Sequence, residues 1–177
     1  MATIGPYGFH HPFSSLTDKV LRKYVRSTFI ETGTNVGLGV EAALRCGFKR
    51  VISIEFDLEM FLFSSTKFSS NERVELHHGD SAVALHRVLQ TITGLATVYL
   101  DAHAVGYNPL LQELEALRNF PMPGSVVMID DVRMFGSPDW LHISEHDIIT
   151  GLRRLGTHTI TYEDTPNASR DLLVAVY

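Results

Sequence analysis

The stretch 28-TFIETGTNVGLGVEAALRC-46 decides the fold of this 177-residue chain. Its apolar start, TFI, predicts a buried strand, and residues 36–46 have the apolar spacing of a helix. Glu31 and the glycines Gly33, Gly37 and Gly39 lie where the strand gives way to the helix. Glycine costs roughly 0.5–1 kcal/mol relative to alanine inside such elements. We therefore predict a strand, a tight turn and a helix, with the turn serving a purpose other than stability.

The same alternation of strand and helix patterns continues along the chain. Short apolar runs predict strands at 28–32, 50–55, 74–79, 96–101, 125–130, 157–163 and 172–177. Helical spacing predicts helices near 15–25, 36–46, 57–69, 81–91, 109–119 and 144–155. Ser144 followed by Asp147 is a start signal for the last helix. Because only the last two strands lack a helix between them, we predict an α/β fold: a doubly wound, mostly parallel, seven-stranded Rossmann-like sheet with an antiparallel C-terminal hairpin.

Length and composition narrow the class of protein. Residues 1–177 fit one domain, with residues 1–15 as a flexible arm or a lid over a pocket. The chain has one cysteine and no apolar run of about 18 residues, so we expect a cytoplasmic protein without a membrane partner. A net charge of −5 argues against broad nucleic-acid binding, and we expect no nucleic-acid partner.

Carboxylates terminate each of the first five predicted strands. These residues are Glu31, Glu55, Asp80, Asp101 and the pair Asp130 and Asp131. In doubly wound sheets, ligands bind beyond the carboxyl ends of the strands, so the five positions converge on one edge. Clustered like charges repel unless cations or hydrogen-bond donors compensate. The expected occupant therefore carries positive charge, hydroxyl groups, or both.

The glycine turn fits neither of the common phosphate-binding patterns. A dinucleotide fingerprint needs Gly-x-Gly-x-x-Gly, whereas these glycines are spaced Gly-x-x-x-Gly-x-Gly. A phosphate-cradling loop ends in Gly-Lys-Ser/Thr, whereas Val40 and Glu41 follow Gly39. What remains is a close-approach turn for a ligand without phosphates, with Glu31 facing it.

The sequence ETGTNVGLG (31–39) resembles the first motif of class I S-adenosylmethionine (SAM)-dependent methyltransferases, in the form found in metal-dependent O-methyltransferases of the catechol and macrolide-sugar types. In that family the loop lies beside the methionine part of SAM, the acid after the second strand binds the ribose, and an Asp after the third strand lies near the adenine. The resemblance, which spans the first half of the chain, implies SAM-binding roles for Glu31, Gly33, Thr34, Gly37, Glu55, Asp80, Ser81 and Asp101.

The second half of the chain supplies candidate metal ligands and a candidate base. Asp101, Asp130 and Asp131 would form an oxygen-rich site for Mg²⁺ or another hard divalent cation. The resemblance implies the same, because O-methyltransferases of the catechol and macrolide-sugar types hold Mg²⁺ with acids after the fourth and fifth strands. The alternative is that all three cap loops or bind backbone amides. We predict catalytic roles for Asp101 and for His103, although the family's base follows its Asp by three residues rather than two.

We expect an enzyme that methylates an oxygen of a hydroxylated small molecule such as a sugar, diol or catechol. Acceptor selectivity would come from the N-terminal arm, from the loops 103–109 and 132–143, or from the second subunit of a homodimer. Two alternatives stay open: a SAM-binding domain without metal-dependent catalysis, and another doubly wound nucleotide- or nucleotide-sugar-binding protein. The segment DAHAVGYNP (101–109) lacks the Asn/Asp-Pro-Pro-aromatic motif of nucleic-acid base methyltransferases.

Overall fold

Seven strands build the central sheet of the protein. The computed structural model describes residues 4–5, 8–9, 15–104, 106–157 and 159–177, with only the backbone given for 4–5 and 8–9. The strands of the sheet are β1 (Thr28–Thr32), β2 (Arg50–Glu55), β3 (Val74–His78), β4 (Ala96–Leu100), β5 (Val126–Ile129), β6 (Thr159–Glu163) and β7 (Leu172–Val176). The two-residue strands Ile4–Gly5 and Gly8–Phe9 pair separately.

The spatial order of the sheet is β3-β2-β1-β4-β5-β7-β6. Strands β1 to β5 are parallel, with Thr28 opposite both Arg50 of β2 and Ala96 of β4. Strand β7 is antiparallel to both of its neighbours, β5 and β6. The predicted doubly wound sheet with an antiparallel C-terminal hairpin is therefore confirmed.

Six helices connect and cover the strands. They are α1 (Asp18–Leu21), α2 (Leu38–Cys46), α3 (Leu58–Phe68), α4 (Ser81–Leu89), α5 (Leu110–Arg118) and α6 (Glu145–Arg154). Short 3₁₀ turns cover Arg22–Tyr24, Val132–Met134 and Pro138–Trp140. The predicted start of α6 is confirmed as a capping box, because Ser144 and Asp147 each accept a hydrogen bond from the other's backbone N–H.

Two apolar layers sandwich the sheet, as the alternation of strand side chains requires. Phe29 of β1 belongs to the layer that packs against α1 and α2, and its neighbour Ile30 belongs to the layer against α4, α5 and α6. Both side chains are fully buried. The five inner strands, β1, β2, β4, β5 and β7, are largely buried on both faces, which explains their apolar sequences, whereas the edge strands β3 and β6 are only partly buried.

Element boundaries differ from the prediction by a few residues. The predicted helix 15–25 is only one turn of α-helix followed by the 3₁₀ turn, because Thr17 caps the helix late and the segment then runs into Val25 in an extended conformation. The prediction of an arm or lid at 1–15 falls mostly outside the described residues. Among the described residues of the whole chain, no helix is long and apolar enough to cross a membrane.

Candidate functional site

The chain reverses direction across the sheet between β1 and β4. From β1 the chain moves outward through β2 to β3, and it then crosses back to β4 on the other side of β1. A crevice opens at the carboxyl ends of the strands at such a reversal, where doubly wound folds bind ligands. All of the sequence-predicted site residues lie on this edge of the sheet.

Each glycine of the turn after β1 is required by a close neighbour. A Cβ on Gly33 would lie 2.6 Å from the backbone oxygen of Asp101, and one on Gly37 would lie 2.4 Å from the Phe68 ring. Both glycines also have positive φ angles, of 83° and 79°, which disfavour other residues. A Cβ on Gly39 would lie 1.7 Å from Oε1 of Glu31. The glycines therefore let the turn pack tightly onto β4, α3 and Glu31.

Glu31, which was predicted to face the ligand, lies beneath the glycine turn. Its side chain is 2% exposed, and its Oε2 accepts a 2.7 Å hydrogen bond from the Ser53 hydroxyl. Since Ser53 donates to Glu31, the Thr34 hydroxyl donates to Ser53 across 2.6 Å. Burial raises the pKa of Glu31 to about 8, against the effect of the Ser53 hydrogen bond. Glu31 thus anchors the turn from below.

Glu55 joins the turns that follow β1 and β2. Its two carboxylate oxygens accept 2.7 Å hydrogen bonds from the backbone N–H groups of Asn35 and Asp57. Burial raises the pKa of Glu55, and these backbone hydrogen bonds oppose the shift. The carboxylate is 7% exposed and is held in place by the main chain of both turns.

Asp80 caps α4, whose first residue is Ser81. Oδ1 of Asp80 accepts from the backbone N–H of Ala82 at 2.9 Å and from the Tyr107 hydroxyl at 2.6 Å. The Tyr107 ring in turn stacks on Phe56, with the ring centroids 6.2 Å apart. Tyr107 and Phe56 are both exposed, so this aromatic pair borders the open side of the crevice.

Asp101 and Asp130 meet at the hydroxyl of Tyr99. This phenol donates to Oδ2 of Asp130 at 2.7 Å or to Oδ2 of Asp101 at 3.2 Å. Ser15 also donates to Oδ2 of Asp130. Burial, with the charges of Asp130 and Asp131, raises the pKa of Asp101 well above its usual range. Burial and the charge of Asp131 raise the pKa of Asp130 to about 6.

Asp131 directs its carboxylate toward an arginine and a histidine side chain. Its backbone has φ 57°, in the left-handed region. Oδ1 lies 2.7 Å from a guanidinium nitrogen of Arg133, and Oδ2 lies 3.2 Å from Nε2 of His103. Nδ1 of His103 lies 3.7 Å from Oδ1 of Asp101, and its ring contacts Trp140 at a centroid distance of 5.3 Å. Burial lowers the pKa of His103, while Asp131 opposes the shift.

The predicted metal ligands divide between two overlapping groups. One group is Asp101, His103 and Asp131, and the other is Asp130, Asp131 and Asp171. Within each group the ligand atoms lie within 4.8 Å of one another. Oδ1 of Asp130 is buried without a hydrogen-bond partner among the described residues. A set of carboxylate oxygens that includes one buried oxygen without a hydrogen-bond partner fits a hard divalent cation. The structure adds His103 to the predicted carboxylates as a potential ligand.

Several residues of this region escaped the sequence analysis. Tyr99 lies in β4, two residues before Asp101, which directly follows the strand, so strand alternation could have placed the two on the same face. Arg133 also contacts Asp171, which is fully buried and accepts a 3.1 Å hydrogen bond from the Arg133 backbone N–H. Glu113 on α5 is 1% exposed, and burial raises its pKa to about 7. No motif in the sequence marks Arg133, Asp171 or Glu113.

The solved structures that the chain resembles include several methyltransferases. An O-methyltransferase from Bacillus cereus in complex with SAH matches with a TM-score of 0.64 and 17% identity, covering 90% of this chain and 78% of that one. TomG, an O-methyltransferase from Streptomyces achromogenes in complex with SAM, matches with a TM-score of 0.63 and 19% identity, covering 92% and 78%. A Clostridium thermocellum protein assigned as an rRNA methylase matches with a TM-score of 0.64 and 11% identity, covering 90% and 94%.

Sequence comparison adds no closer relationship. No family model matches the chain, and the search of curated proteins gave no significant match. The identities to the solved structures are low, so the likeness concerns the course of the chain. The strand order, the antiparallel seventh strand and the glycine turn after β1 agree with it. The chain has the fold of the class I SAM-dependent methyltransferases.

Proposed function

We propose that the protein is a SAM-dependent methyltransferase that methylates an oxygen of a hydroxylated small molecule with the help of Mg²⁺ or another hard divalent cation. The observation that carries the proposal is the division of the strand-end carboxylates. Those after β1, β2 and β3 are held by hydroxyls and backbone amides. Those after β4 and β5 crowd one another beside Arg133 and His103. The first set suits SAM and the second suits a cation with an acceptor.

The proposed SAM site lies over the turns after β1, β2 and β3. Gly33, Thr34 and Gly37 shape the floor next to the methionine part of SAM, with Glu31 beneath it. Glu55 would accept hydrogen bonds from the ribose hydroxyls, and Asp80 with Ser81 would lie beside the adenine. The negative charge of this edge also favours the positive sulfonium of SAM. SAM complexes of the structurally similar TomG support this assignment.

The proposed reaction is an in-line displacement at the methyl carbon. The acceptor hydroxyl loses its proton, an oxygen lone pair forms the new C–O bond, and the electrons of the C–S bond leave with the sulfur. His103 can take the proton, because its ring is partly exposed and lies between Asp101 and Asp131. Asp101, Asp130 and Asp131, with His103 as an alternative ligand, would hold the cation. When bound, the cation lowers the pKa of the acceptor hydroxyl and orients it.

The test is a screen of hydroxylated acceptors with isotopically labelled SAM, with and without Mg²⁺. We expect label on oxygen that depends on the cation and is lost with EDTA. SAM or SAH should also raise the melting temperature, and Glu55→Ala should abolish most of that shift. The exposed Glu72→Gln is the matched control. Label on nitrogen, carbon or RNA would reject O-methylation of a small molecule.

Two alternatives give different results in the same experiments. A SAM-binding domain without metal-dependent catalysis would show the melting shift but no cation-dependent label. A nucleotide- or nucleotide-sugar-binding protein would be stabilised by those ligands and not by SAM or SAH. Acceptor selection by the N-terminal arm, by the loops 103–109 and 132–143, or by a second subunit remains part of the proposal.

A further inference from the structure

A small polar cavity lies beside the proposed reaction site, between the end of β4, the start of α5 and the turn Pro138–Trp140. Its lining residues are Leu100, Asp101, Ala102, His103, Asn108, Leu110, Glu113 and Trp140. It leaves about 10 Å³ for the centre of a water-sized group, which is roughly the room that one oxygen atom with its hydrogen needs. The cavity can therefore hold one hydroxyl group.

Three lining side chains carry unpaired polar atoms. Asn108 Nδ2, Glu113 Oε1 and Trp140 Nε1 are buried and have no hydrogen-bond partner among the described residues. The three residues are 6%, 1% and 3% exposed, respectively. Leaving such atoms unpaired costs about 1–3 kcal/mol each. Their occurrence around one cavity indicates a missing polar partner.

The donor and acceptor pattern identifies the kind of partner. Asn108 Nδ2 and Trp140 Nε1 are hydrogen-bond donors, whereas the Glu113 carboxylate is an acceptor. A hydroxyl group can accept from both N–H groups and donate to the carboxylate. An ether or carbonyl oxygen would leave the carboxylate unpaired, and an ammonium group would face two donors. The set is thus matched to a hydroxyl.

We propose that this cavity recognises a second hydroxyl group of the methyl acceptor, one that is not itself methylated. The inference rests on the proposed function and narrows its substrate class to polyhydroxylated molecules. Asp101 and His103 line the same cavity, so a hydroxyl bound there lies next to the groups that would act on the methylated oxygen.

The single tryptophan of the chain provides a direct readout, because Trp140 gives the only indole N–H resonance in a ¹H–¹⁵N spectrum. The full-length protein with SAH and Mg²⁺ would be titrated with methyl glucoside, methyl rhamnoside and catechol. We expect at least one of these probes to shift the indole resonance in a saturable manner. An analogue lacking one hydroxyl should bind roughly tenfold or more weakly.

The Asn108→Asp substitution tests the role of the cavity while preserving the local backbone structure. Oδ1 of Asn108 accepts a 3.0 Å hydrogen bond from the backbone N–H of Leu110, and aspartate preserves this bond while removing the Nδ2 donor. We expect Asn108→Asp to weaken probe binding roughly tenfold or more and to erase the preference for the extra hydroxyl. The same change at exposed Asn167 should leave both unchanged. The melting shift caused by SAH should persist in both variants.

Three results would overturn the inference. The first is an indole resonance that stays fixed while a bound probe shifts other resonances. The second is an Asn108→Asp variant that retains full affinity and the preference for the extra hydroxyl. The third is a protein that binds SAH but none of the three probes. Failure of the proposed function looks different, because the acceptor screen would then show no cation-dependent label on oxygen, or SAH would not stabilise the wild-type protein.

Discussion

The two halves of the carboxyl edge of the sheet treat their carboxylates in opposite ways. In the half formed by β1, β2 and β3, each acid has neutral donors: Ser53 for Glu31, two backbone amides for Glu55, and an amide with a phenol for Asp80. In the half formed by β4 and β5, the acids raise one another's pKa values. The acids of the first half have their donors within the protein, whereas the acids of the second half repel one another.

Under the proposed function, this difference would let one sheet edge bind SAM in one half and a divalent cation in the other. Neutral donors fix the position of a carboxyl group, which suits recognition of ribose hydroxyls. Crowded carboxylates store electrostatic repulsion that a divalent ion would relieve. Arg133 and His103 relieve part of it in the structure, through their contacts with Asp131. Substitutions in one half at a time test whether the two halves differ in this way.

The largest effect is expected from Asp130→Asn combined with Asp131→Asn. Removing two of the proposed ligands should weaken Mn²⁺ or Mg²⁺ binding at least a hundredfold, or about 2.7 kcal/mol. Stabilisation by SAH should be retained, because the SAM half is untouched. Calorimetry with each ion measures the first effect, and thermal denaturation measures the second.

Asp139→Asn is the matched control. Asp139 is exposed and lies in the neighbouring 3₁₀ turn, so its substitution removes one negative charge and leaves the proposed metal ligands unchanged. Unaltered metal affinity in the double variant would return Asp130 and Asp131 to a purely structural role. Loss of SAH binding in the same variant would show that the two halves are not independent.

A pH-dependent effect is expected from Glu31. Its pKa is about 8 in the folded protein against 4.5 for an ordinary glutamate, so the folded state holds a proton that the unfolded chain has lost between these values. The free energy of unfolding therefore falls as the pH rises through this window, by on the order of 3 kcal/mol between pH 5 and 8. Glu31→Gln should flatten this slope, as measured by urea denaturation at each pH.

Glu113, whose pKa is raised to about 7, contributes a decline of the same sign, so the Glu31→Gln variant should keep a shallower slope. Glu72→Gln serves as the exposed control. If the wild type and Glu31→Gln had parallel pH profiles, the carboxyl would be ionised in the fold and better solvated than its burial indicates.

A smaller effect is expected from Gly39→Ala. The added methyl group would collide with the Glu31 carboxylate, which Ser53 holds in place, and overpacking of this kind costs about 1–3 kcal/mol. Gly151→Ala in α6 is the matched change, because its Cβ would meet only the flexible end of Leu114 at 2.8 Å. It should be neutral or stabilising by up to about 1 kcal/mol.

Urea denaturation of both glycine variants, and of Gly39→Ala in a Glu31→Ala background, measures this difference. The penalty at Gly39 should shrink in the Glu31→Ala background, because the two positions are in contact. Equal penalties at Gly39 and Gly151 would mean that the glycine turn is governed by something other than Glu31.

The smallest effects are expected from single aspartates in the absence of ligands. Asp80→Ala removes the cap of α4 and should lower the free energy of unfolding by about 1 kcal/mol. Asp101→Ala should not lower it, since the Tyr99 hydroxyl can still donate to Asp130 and one repelling charge is gone. Thermal denaturation without SAM or metal compares the two. A less stable Asp101→Ala variant would contradict the proposed repulsion.

Much of the framework was predictable because the relevant signals are local. The strands that are buried on both faces read as uninterrupted apolar runs, and β1 and β2 have the predicted boundaries. The acids at the strand ends follow those runs directly, so their shared edge came from topology alone. The capping box at Ser144 was also predictable from four consecutive residues.

The contacts within the site were not predictable, because they depend on distant parts of the chain. Ser15 reaches Asp130, and Asn108, Glu113 and Trp140 meet around one cavity from separate elements. Strand alternation indicates which face a side chain occupies but not the group that it meets there. The left-handed backbone of Asp131, which turns its carboxylate toward His103, has no sequence signature either.

Because β7 follows the other six strands in the sequence, the two halves of the sheet edge can complete their strand pairing at different times during synthesis. Strands β1, β2 and β3, which carry the proposed SAM site, are neighbours in the sheet and precede β4 in the sequence, so they can pair before the rest of the sheet is synthesised. The edge of β5 is covered only by β7, the last strand in the chain, which also inserts beside β6. Until Leu172–Val176 emerges, the nascent chain exposes an apolar strand edge of the kind that promotes aggregation. Chaperone demand during translation should therefore fall mainly on the half that would hold the cation and the acceptor.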